Sequence, residues 1–100
     1  MLGSLAINIA IMEKKMRRDM DLVRDILLRI EGLKGDFNIY SMYPEYFDQY
    51  KVVKGTEEQG NLVIAHYGLL VKSGFVDGVA QTGNVHGLTW DGHNLLDKLR

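Results

Sequence analysis

The side chains best able to do chemistry are three histidines and one aspartate. The closing stretch LTWDGHNLLDKLR sets Asp91 and His93 beside the single tryptophan, and His66 and His86 come before it. Three imidazoles could together hold zinc. However, the spacing from His86 to His93 matches no compact ligand motif, and His66 lies on an apolar helical face that is typical of a hydrogen-bonded core histidine. The sequence therefore predicts no metal site.

Other routes to catalysis have little support. Ser4, Ser41 and Ser73 lie in no nucleophile-elbow setting, and the glycines are scattered instead of forming a phosphate-binding loop. The chain also has no cysteine. We predict a protein that is not an enzyme and uses no cofactor. The lack of cysteine fits a reducing compartment, so we predict a cytoplasmic location.

Size and charge limit the classes of partner. One hundred residues make one domain with little surface for a deep cleft. The formal net charge is -1, whereas a non-specific nucleic-acid binder carries a clear basic excess. Charge alone thus disfavours strong DNA binding, although Lys14, Lys15, Arg17 and Arg18 form one local basic cluster.

The chain begins with an apolar segment, Leu5 to Met12. It is far shorter than the roughly 20 residues that span a bilayer, so we predict no membrane association. Ile7, Ile9 and Ile11 alternate with smaller or polar residues, which predicts a strand, and a helical lead-in is the alternative. We interpret residues 1–15 as an N-terminal extension and residues 16–100 as the domain.

An amphipathic helix follows the extension. Its apolar residues recur at alternating steps of four and three, which predicts one buried seam and a helix that ends near Gly32. On the outer face, Asp25 and Arg29 are four residues apart and can form an ion pair. The seam consists of Met16, Met20, Val23, Leu27 and Ile30.

Residues 34–55 are dense in aromatic side chains around Pro44. Such a cluster either packs over the core or forms an interface that stacks bases or contacts a protein. QYKVV, residues 49–53, predicts a short strand at the end of this span. The interface alternative uses Tyr43, Tyr46 and Phe47, out of a set that also contains Phe37, Tyr40 and Tyr50.

A second helix is predicted from Thr56 to Gly74. Thr56 and Gln59 have the spacing of a capping box, and Gly74 sits where a left-handed C-terminal residue belongs. Asn61, Ala65, Gly68 and Lys72 would form a narrow outward face. The inward face would contain Leu62, Val63, His66, Tyr67, Leu69 and Leu70.

The sequence after the second helix predicts a β-hairpin and a last helix. FVDGVAQ and VHGLTW are strand-like segments around the turn residues Thr82, Gly83 and Asn84. Helix, possible strand, capped helix, hairpin and helix are the order of a small α+β winged-helix domain, in which the second helix reads DNA and the hairpin is the wing.

Three blocks of the sequence resemble a known family. MRRDMDLVRDILLRIE, HYGLLVKSGFV and LTWDGHNLLDKLR occur in this order, and together they resemble domain-of-unknown-function family 2513 of bacterial and phage proteins. The resemblance covers about two thirds of the chain; residues 1–15 precede the usual family start, and the span 37–60 fits poorly. It implies a winged-helix-like fold and a phage or prophage setting, without an activity.

Two functions from different classes remain open. A DNA-binding transcriptional regulator would contact double-stranded DNA through the second helix and the hairpin tip. Against it, Glu57 and Glu58 place negative charge at the helix end that usually approaches DNA. The residues suited to such contacts are Gln59, Asn61, Lys72, Gln81, Thr82 and Asn84.

The alternative function is a protein-interaction or dimerisation module. The aromatic span, the apolar leader and the small outward face of the second helix all suit a homodimer or a phage or host partner. In a homodimer, a strand from Ile7 to Ile11 could pair with a second copy, and Ala65 and Gly68 would allow close helix approach.

The closing segment is best interpreted as a strand-to-helix junction. Leu88 and Trp90 would finish the second hairpin strand, and Thr89 or Asp91 would cap the last helix. Leu95, Leu96 and Leu99 would then bury this helix against the core.

This interpretation makes a testable prediction for two neighbouring residues. Leu96→Ala should lower the thermal unfolding midpoint by several degrees because it leaves a cavity in the core. His93→Ala should change the midpoint little. Thermal melts followed by circular dichroism measure both variants, and the reverse ranking would reveal a role for His93 beyond the helix surface.

Overall fold

A computed structural model describes residues 19–100, which form four helices and two antiparallel sheets. The predicted α+β class is confirmed. The predictions for residues 1–18, which include the Ile7–Ile11 strand, lie outside the described residues. In chain order the elements are α1 (Met20–Glu31), β1 (Phe37–Asn38), α2 (Ile39–Met42), β2 (Phe47–Asp48), β3 (Lys51–Val52), α3 (Glu57–Lys72), β4 (Val76–Val79), β5 (Asn84–Leu88) and α4 (Trp90–Leu99).

Helix α1 follows the predicted seam. Asp19 caps it, since one carboxylate oxygen accepts a hydrogen bond from the amide of Leu22 at 3.0 Å. The helix ends at Gly32, as predicted. Met20 is 40% exposed, so within the described residues the buried seam begins only at Val23 and continues through Ile26, Leu27 and Ile30.

The larger sheet has the strand order β1-β5-β4. Its hairpin, β4 to β5, lies where the sequence predicts it, with Val76 opposite Leu88 and a register shift between Asp77 and Gly78. At the bulge Gly78 packs against Tyr67, and a Cβ there would overlap both the Tyr67 hydroxyl and a backbone carbonyl. The bulge therefore allows α3 to pack closely onto the sheet.

Helix α3 ends as predicted and starts differently. Gly74 has φ 82°, and the amide of Phe75 donates to the carbonyl of Leu70 at 2.9 Å, which is a Schellman ending. The predicted capping box is wrong, because the Thr56 hydroxyl donates to the carbonyl of Val53 at 2.7 Å and makes no cap bond. Leu69, expected to face inward, is 39% exposed.

The core lies between the three longer helices and the larger sheet. Leu96 of α4 is fully buried, whereas His93 is exposed. His66 is 1% exposed, and its ring Nδ1 lies 2.7 Å from the carbonyl oxygen of Leu62. The predicted core histidine is confirmed. The hydrophobic core includes Val23, Ile26, Leu27, Ile39, Val63, Tyr67, Val76 and Val85.

The junction between β5 and α4 depends on Thr89. Its hydroxyl oxygen accepts from the amide of Gly92 at 3.0 Å and its hydroxyl donates to the carbonyl of Gly74, which confirms the predicted cap. Trp90 does not finish the strand: it is the first residue of α4 and 82% exposed, because the cap turns the chain before it. A Cβ on Gly92 would overlap the carbonyl oxygen of Phe75.

Two helical glycines should therefore respond oppositely to the same substitution. Gly92→Ala should destabilise the protein by about 1–3 kcal/mol, because the new methyl group meets backbone that cannot move aside. Gly68→Ala should stabilise it by roughly 1 kcal/mol, because a Cβ there meets open space. Urea unfolding of both variants gives the comparison, and equal effects at the two positions would contradict this packing.

Candidate functional site

The three histidines lie on three different elements of the structure. His66 is in the core, His93 is on the surface of α4, and His86 lies on β5. The Nδ1 atom of His86 lies 3.1 Å from a carboxylate oxygen of Asp36, and this hydrogen bond raises the pKa of the imidazole. Across residues 19–100 no three histidine, aspartate or glutamate side chains come together as metal ligands.

The residues predicted to contact DNA are exposed on α3 and the hairpin. Gln59, Asn61 and Lys72 lie on the surface of α3, and Gln81 and Thr82 occupy the hairpin turn. Asn84 starts β5 and is also exposed, but its side-chain oxygen already accepts from the amide of Asn38 at 3.2 Å. All six of these side chains are therefore exposed, although that of Asn84 is already hydrogen-bonded to Asn38.

The charge on these two surfaces is negative. Within residues 56–88, all of which the structure describes, Lys72 is the one lysine or arginine, against Glu57, Glu58 and Asp77. Backbone amides, including that of Gly55, donate to the carboxylate of Glu57 and lower its pKa, so it is ionised at neutral pH. The start of α3 therefore presents carboxylates where a DNA phosphate would have to approach.

Two of the aromatic residues predicted for an interface are core residues. Tyr43 is 1% exposed and Phe47 is 5% exposed, so neither ring offers a contact surface in this conformation. Tyr46 is half-buried and stacks on Tyr43 with ring centroids 5.9 Å apart. Burial raises the pKa of Tyr43, whose hydroxyl donates to Asp25 at 2.5 Å. The exposed rings of this span are elsewhere.

The exposed Tyr50 and the half-buried Tyr40 border a surface depression of about 470 Å³, which we call the aromatic cleft. Tyr50 is 66% exposed, and its ring meets that of Tyr40 edge to face at 5.2 Å. Tyr40 in turn meets Phe47 edge to face at 4.9 Å. Ser41, Pro44 and Gln49 complete the lining. The result is an aromatic wall whose solvent-facing rings are Tyr50 and, in part, Tyr40.

A second depression of about 420 Å³ continues from the aromatic cleft, and we call it the polar arm. The two share Ser41 and Tyr50. Phe37, 41% exposed, adds a further ring. The polar arm is otherwise lined by Asp36, Asn38, Asn84 and His86. Apolar rings at one end and hydrogen-bonding groups at the other are the usual composition of a recognition site.

The hairpin β2–β3 builds one wall of the aromatic cleft through a strained turn. Asp48 pairs with Lys51, so Gln49 and Tyr50 form a two-residue loop. Their φ angles are 49° and 71°, the left-handed conformation that such turns require and that glycine and asparagine adopt most easily. Each residue costs roughly 1 kcal/mol or more in this region. This turn places the Tyr50 ring against Tyr40.

The sequence contains no local signal for this hairpin. Asn-Gly or Asp-Gly usually identifies a two-residue turn, and Gln49-Tyr50 has neither residue. The strand predicted over QYKVV, residues 49–53, is present only as β3, Lys51–Val52, because Gln49 and Tyr50 form the turn. Its partner β2 and the position of the exposed Tyr50 were not predicted.

The fold and the site define a class of protein: a small α+β domain that carries an aromatic surface cleft beside its larger sheet. The family model for the hypothetical proteins of DUF2513 matches residues 17–100, and the chain belongs to this family, as its sequence resemblance predicts. No curated protein and no solved structure matches it. Within residues 19–100, no helix is both long and apolar enough to cross a membrane.

The strained turn generates a prediction with a matched control. Gln49→Gly should stabilise the protein by about 1 kcal/mol and raise the thermal midpoint by about 4–8 °C, because glycine relieves the positive φ. Gln59→Gly, the same exchange in the first turn of α3, should lower stability. Differential scanning calorimetry measures both, and a drop in the midpoint for Gln49→Gly would show that the turn is not strained.

Proposed function

We propose that this chain is a non-enzymatic winged-helix protein that binds a partner protein through the aromatic cleft. The exposed Tyr50 ring, held above Tyr40 by a strained turn, is the observation that carries the proposal. Tyrosine supplies a large, rigid contact area and is enriched among the residues that dominate binding energy. A cleft lined by such rings suits a protein partner.

The winged-helix interpretation rests on connectivity. Helices α1, α2 and α3, followed by the hairpin β4–β5, are arranged around a sheet with the order β1-β5-β4. In a winged-helix domain, α3 would be the recognition helix and the hairpin the wing. The phage or prophage setting and the cytoplasmic location remain predictions.

The long connection between α2 and α3 departs from that arrangement and argues against sequence-specific DNA binding. A helix-turn-helix joins its two helices by a turn of about 3–4 residues, whereas residues 43–56 separate α2 from α3 in this chain. This segment contains the hairpin β2–β3 and one wall of the aromatic cleft. Where a helix-turn-helix has a short turn, this chain therefore has a longer segment that forms part of the aromatic cleft.

Electrostatics favour the same conclusion. Phosphate contacts supply most of the affinity of DNA-binding proteins, and each requires a nearby donor or cation. The surface of α3 and the hairpin offers Lys72 and opposes it with Glu57 and Glu58 at the end that would approach DNA. Protein recognition has no such requirement.

DNA binding remains the second candidate, for a specific reason. Gln59 and Asn61 are exposed in the first half of α3, and amide side chains there can pair with adenine in a major groove. The cations that would be needed to hold phosphate, Lys14, Lys15, Arg17 and Arg18, lie outside the described residues. A homodimer through residues 7–11 also stays a prediction for the same reason.

Two exposed aromatic residues give a matched test of the proposal. Immobilised protein should retain a defined partner from a lysate of its source organism, identified by mass spectrometry. Tyr50→Ala should abolish retention because it removes the ring above the cleft. Trp90→Ala, which removes a ring that is 82% exposed at the start of α4, should not. Retention that survives Tyr50→Ala would refute the role of the cleft.

A titration with DNA separates the second candidate. Mixed-sequence duplex DNA at low salt should give no saturable binding, because non-specific affinity comes from phosphate contacts. Tight binding that weakens steeply with salt, and that is lost in Gln59→Ala together with Asn61→Ala, would replace the protein-binding proposal with DNA reading.

A further inference from the structure

The protein-binding proposal can be deepened to the chemistry of the partner. We infer that the aromatic cleft and the polar arm take a proline-rich segment in the polyproline II conformation, with a basic residue over Asp36. This inference rests on the proposed function of the cleft. Four properties support it: the ridged shape, the unused hydrogen-bonding groups, the charge at one end and the absence of a fitting alternative.

The shape comes from the edge-to-face rings. Tyr40 and Tyr50 meet at an interplanar angle of 65°, and Tyr40 also packs edge to face on the buried ring of Phe47. Two rings at this angle form a ridge with a hollow beside it, and not one flat platform. A polyproline II helix has three residues per turn and presents its rigid pyrrolidine rings along edges, which fit aromatic-lined grooves at low entropy cost.

The lining also carries hydrogen-bonding groups that no described residue uses. The hydroxyl groups of Tyr40, Ser41 and Tyr50 and the amide of Gln49 make no hydrogen bond within residues 19–100. Polyproline II leaves every backbone carbonyl without an internal partner. Proline lacks an amide donor, so a proline-rich segment needs donors from its receptor, and these four side chains can supply them.

Charge selects the orientation of the segment. Asp36 lines the polar arm, and its side chain is 78% exposed. The titratable side chains that line the polar arm together with Asp36 are Tyr50 and His86. Asp36 engages His86 through one oxygen and leaves the other for an arginine or lysine of the ligand.

Other modes of peptide recognition fit less well. Strand addition needs a length of free sheet edge, and β1 beside the polar arm contributes only Phe37 and Asn38. A helix needs a continuous apolar groove, whereas the polar arm interrupts the aromatic cleft with Asn38, Asn84 and His86. A peptide segment that is extended, rigid and rich in carbonyl acceptors fits both the aromatic cleft and the polar arm.

The inference is tested with synthetic peptides and isotope-labelled protein. The octapeptide Arg-Pro-Pro-Ala-Pro-Pro-Ala-Pro, titrated in NMR experiments, should shift the amide signals of Ser41, Gln49 and Tyr50 saturably, with a Kd below about 1 mM. The same peptide with every proline replaced by alanine should bind at least about tenfold more weakly. Equal binding of the two peptides would overturn the inference, because charge alone would then explain the contact.

Variants of the protein locate the contact. Tyr50→Ala should weaken binding of the octapeptide about tenfold or more, and Trp90→Ala should leave it unchanged. Asp36→Asn should weaken the arginine peptide and spare a version with glutamine in place of arginine. Binding that is indifferent to both Tyr50→Ala and Asp36→Asn would place the peptide elsewhere and overturn the inference. Well-dispersed spectra of each variant verify that it remains folded.

The outcomes distinguish this inference from the broader proposal. If neither peptide binds while partner capture still requires Tyr50, the cleft binds protein and the proline-rich chemistry is wrong. If the cleft signals shift with protein concentration alone, the occupant is a second copy of the chain and the inference is overturned. If capture survives Tyr50→Ala, the proposed function itself fails.

Discussion

The position of the cleft depends on the contacts of one guanidinium group. Arg29 of α1 donates to the carbonyl of Met42 at 2.6 Å and binds Glu45 at 2.7 Å, and its Nε lies 3.0 Å from Asp25. The same group lies 3.9 Å from the centre of the Tyr43 ring. A planar group with five donors can make all these contacts at once. It fixes the end of α2 and the residues after it against α1.

These contacts act more through geometry than through net energy. The side chains of Arg29 and Glu45 are 32% and 42% exposed, and ion pairs at this level of exposure contribute at most about 1 kcal/mol each. The hydrogen bond to Glu45 raises the pKa of Arg29, and Arg29 lowers the pKa of Glu45, so both stay ionised. Their paired donors and acceptors define one orientation for the segment. The hairpin β2–β3 follows that segment directly. The contacts of Arg29 therefore also position the wall of the aromatic cleft that carries Tyr50.

The features that the sequence predicted are those that local chemistry determines. The seam of α1, the Gly74 helix ending and the Thr89 cap each depend on residues within about one turn of one another, and periodicity or residue type reveals them. The Arg29 contacts join residues 13 and 16 positions apart. No local pattern distinguishes an arginine that only pairs with Asp25 from one that also orders a distant segment. The cleft therefore cannot be predicted from local sequence patterns, although the sequence shows its rings as an aromatic span.

The strain in the hairpin turn links the fold to the proposed function. Asparagine and glycine would satisfy the two left-handed positions at little cost, whereas Gln49 and Tyr50 hold them under strain. The edge-to-face contact with Tyr40 contributes about 0.5–1.5 kcal/mol of stabilisation, which offsets part of that strain. The Tyr50 ring nevertheless remains mostly exposed to solvent. Stability alone does not explain a tyrosine at this position. Strained backbone conformations persist at sites where function requires a side chain in a defined position. In this chain the strained turn positions Tyr50 at the open side of the aromatic cleft.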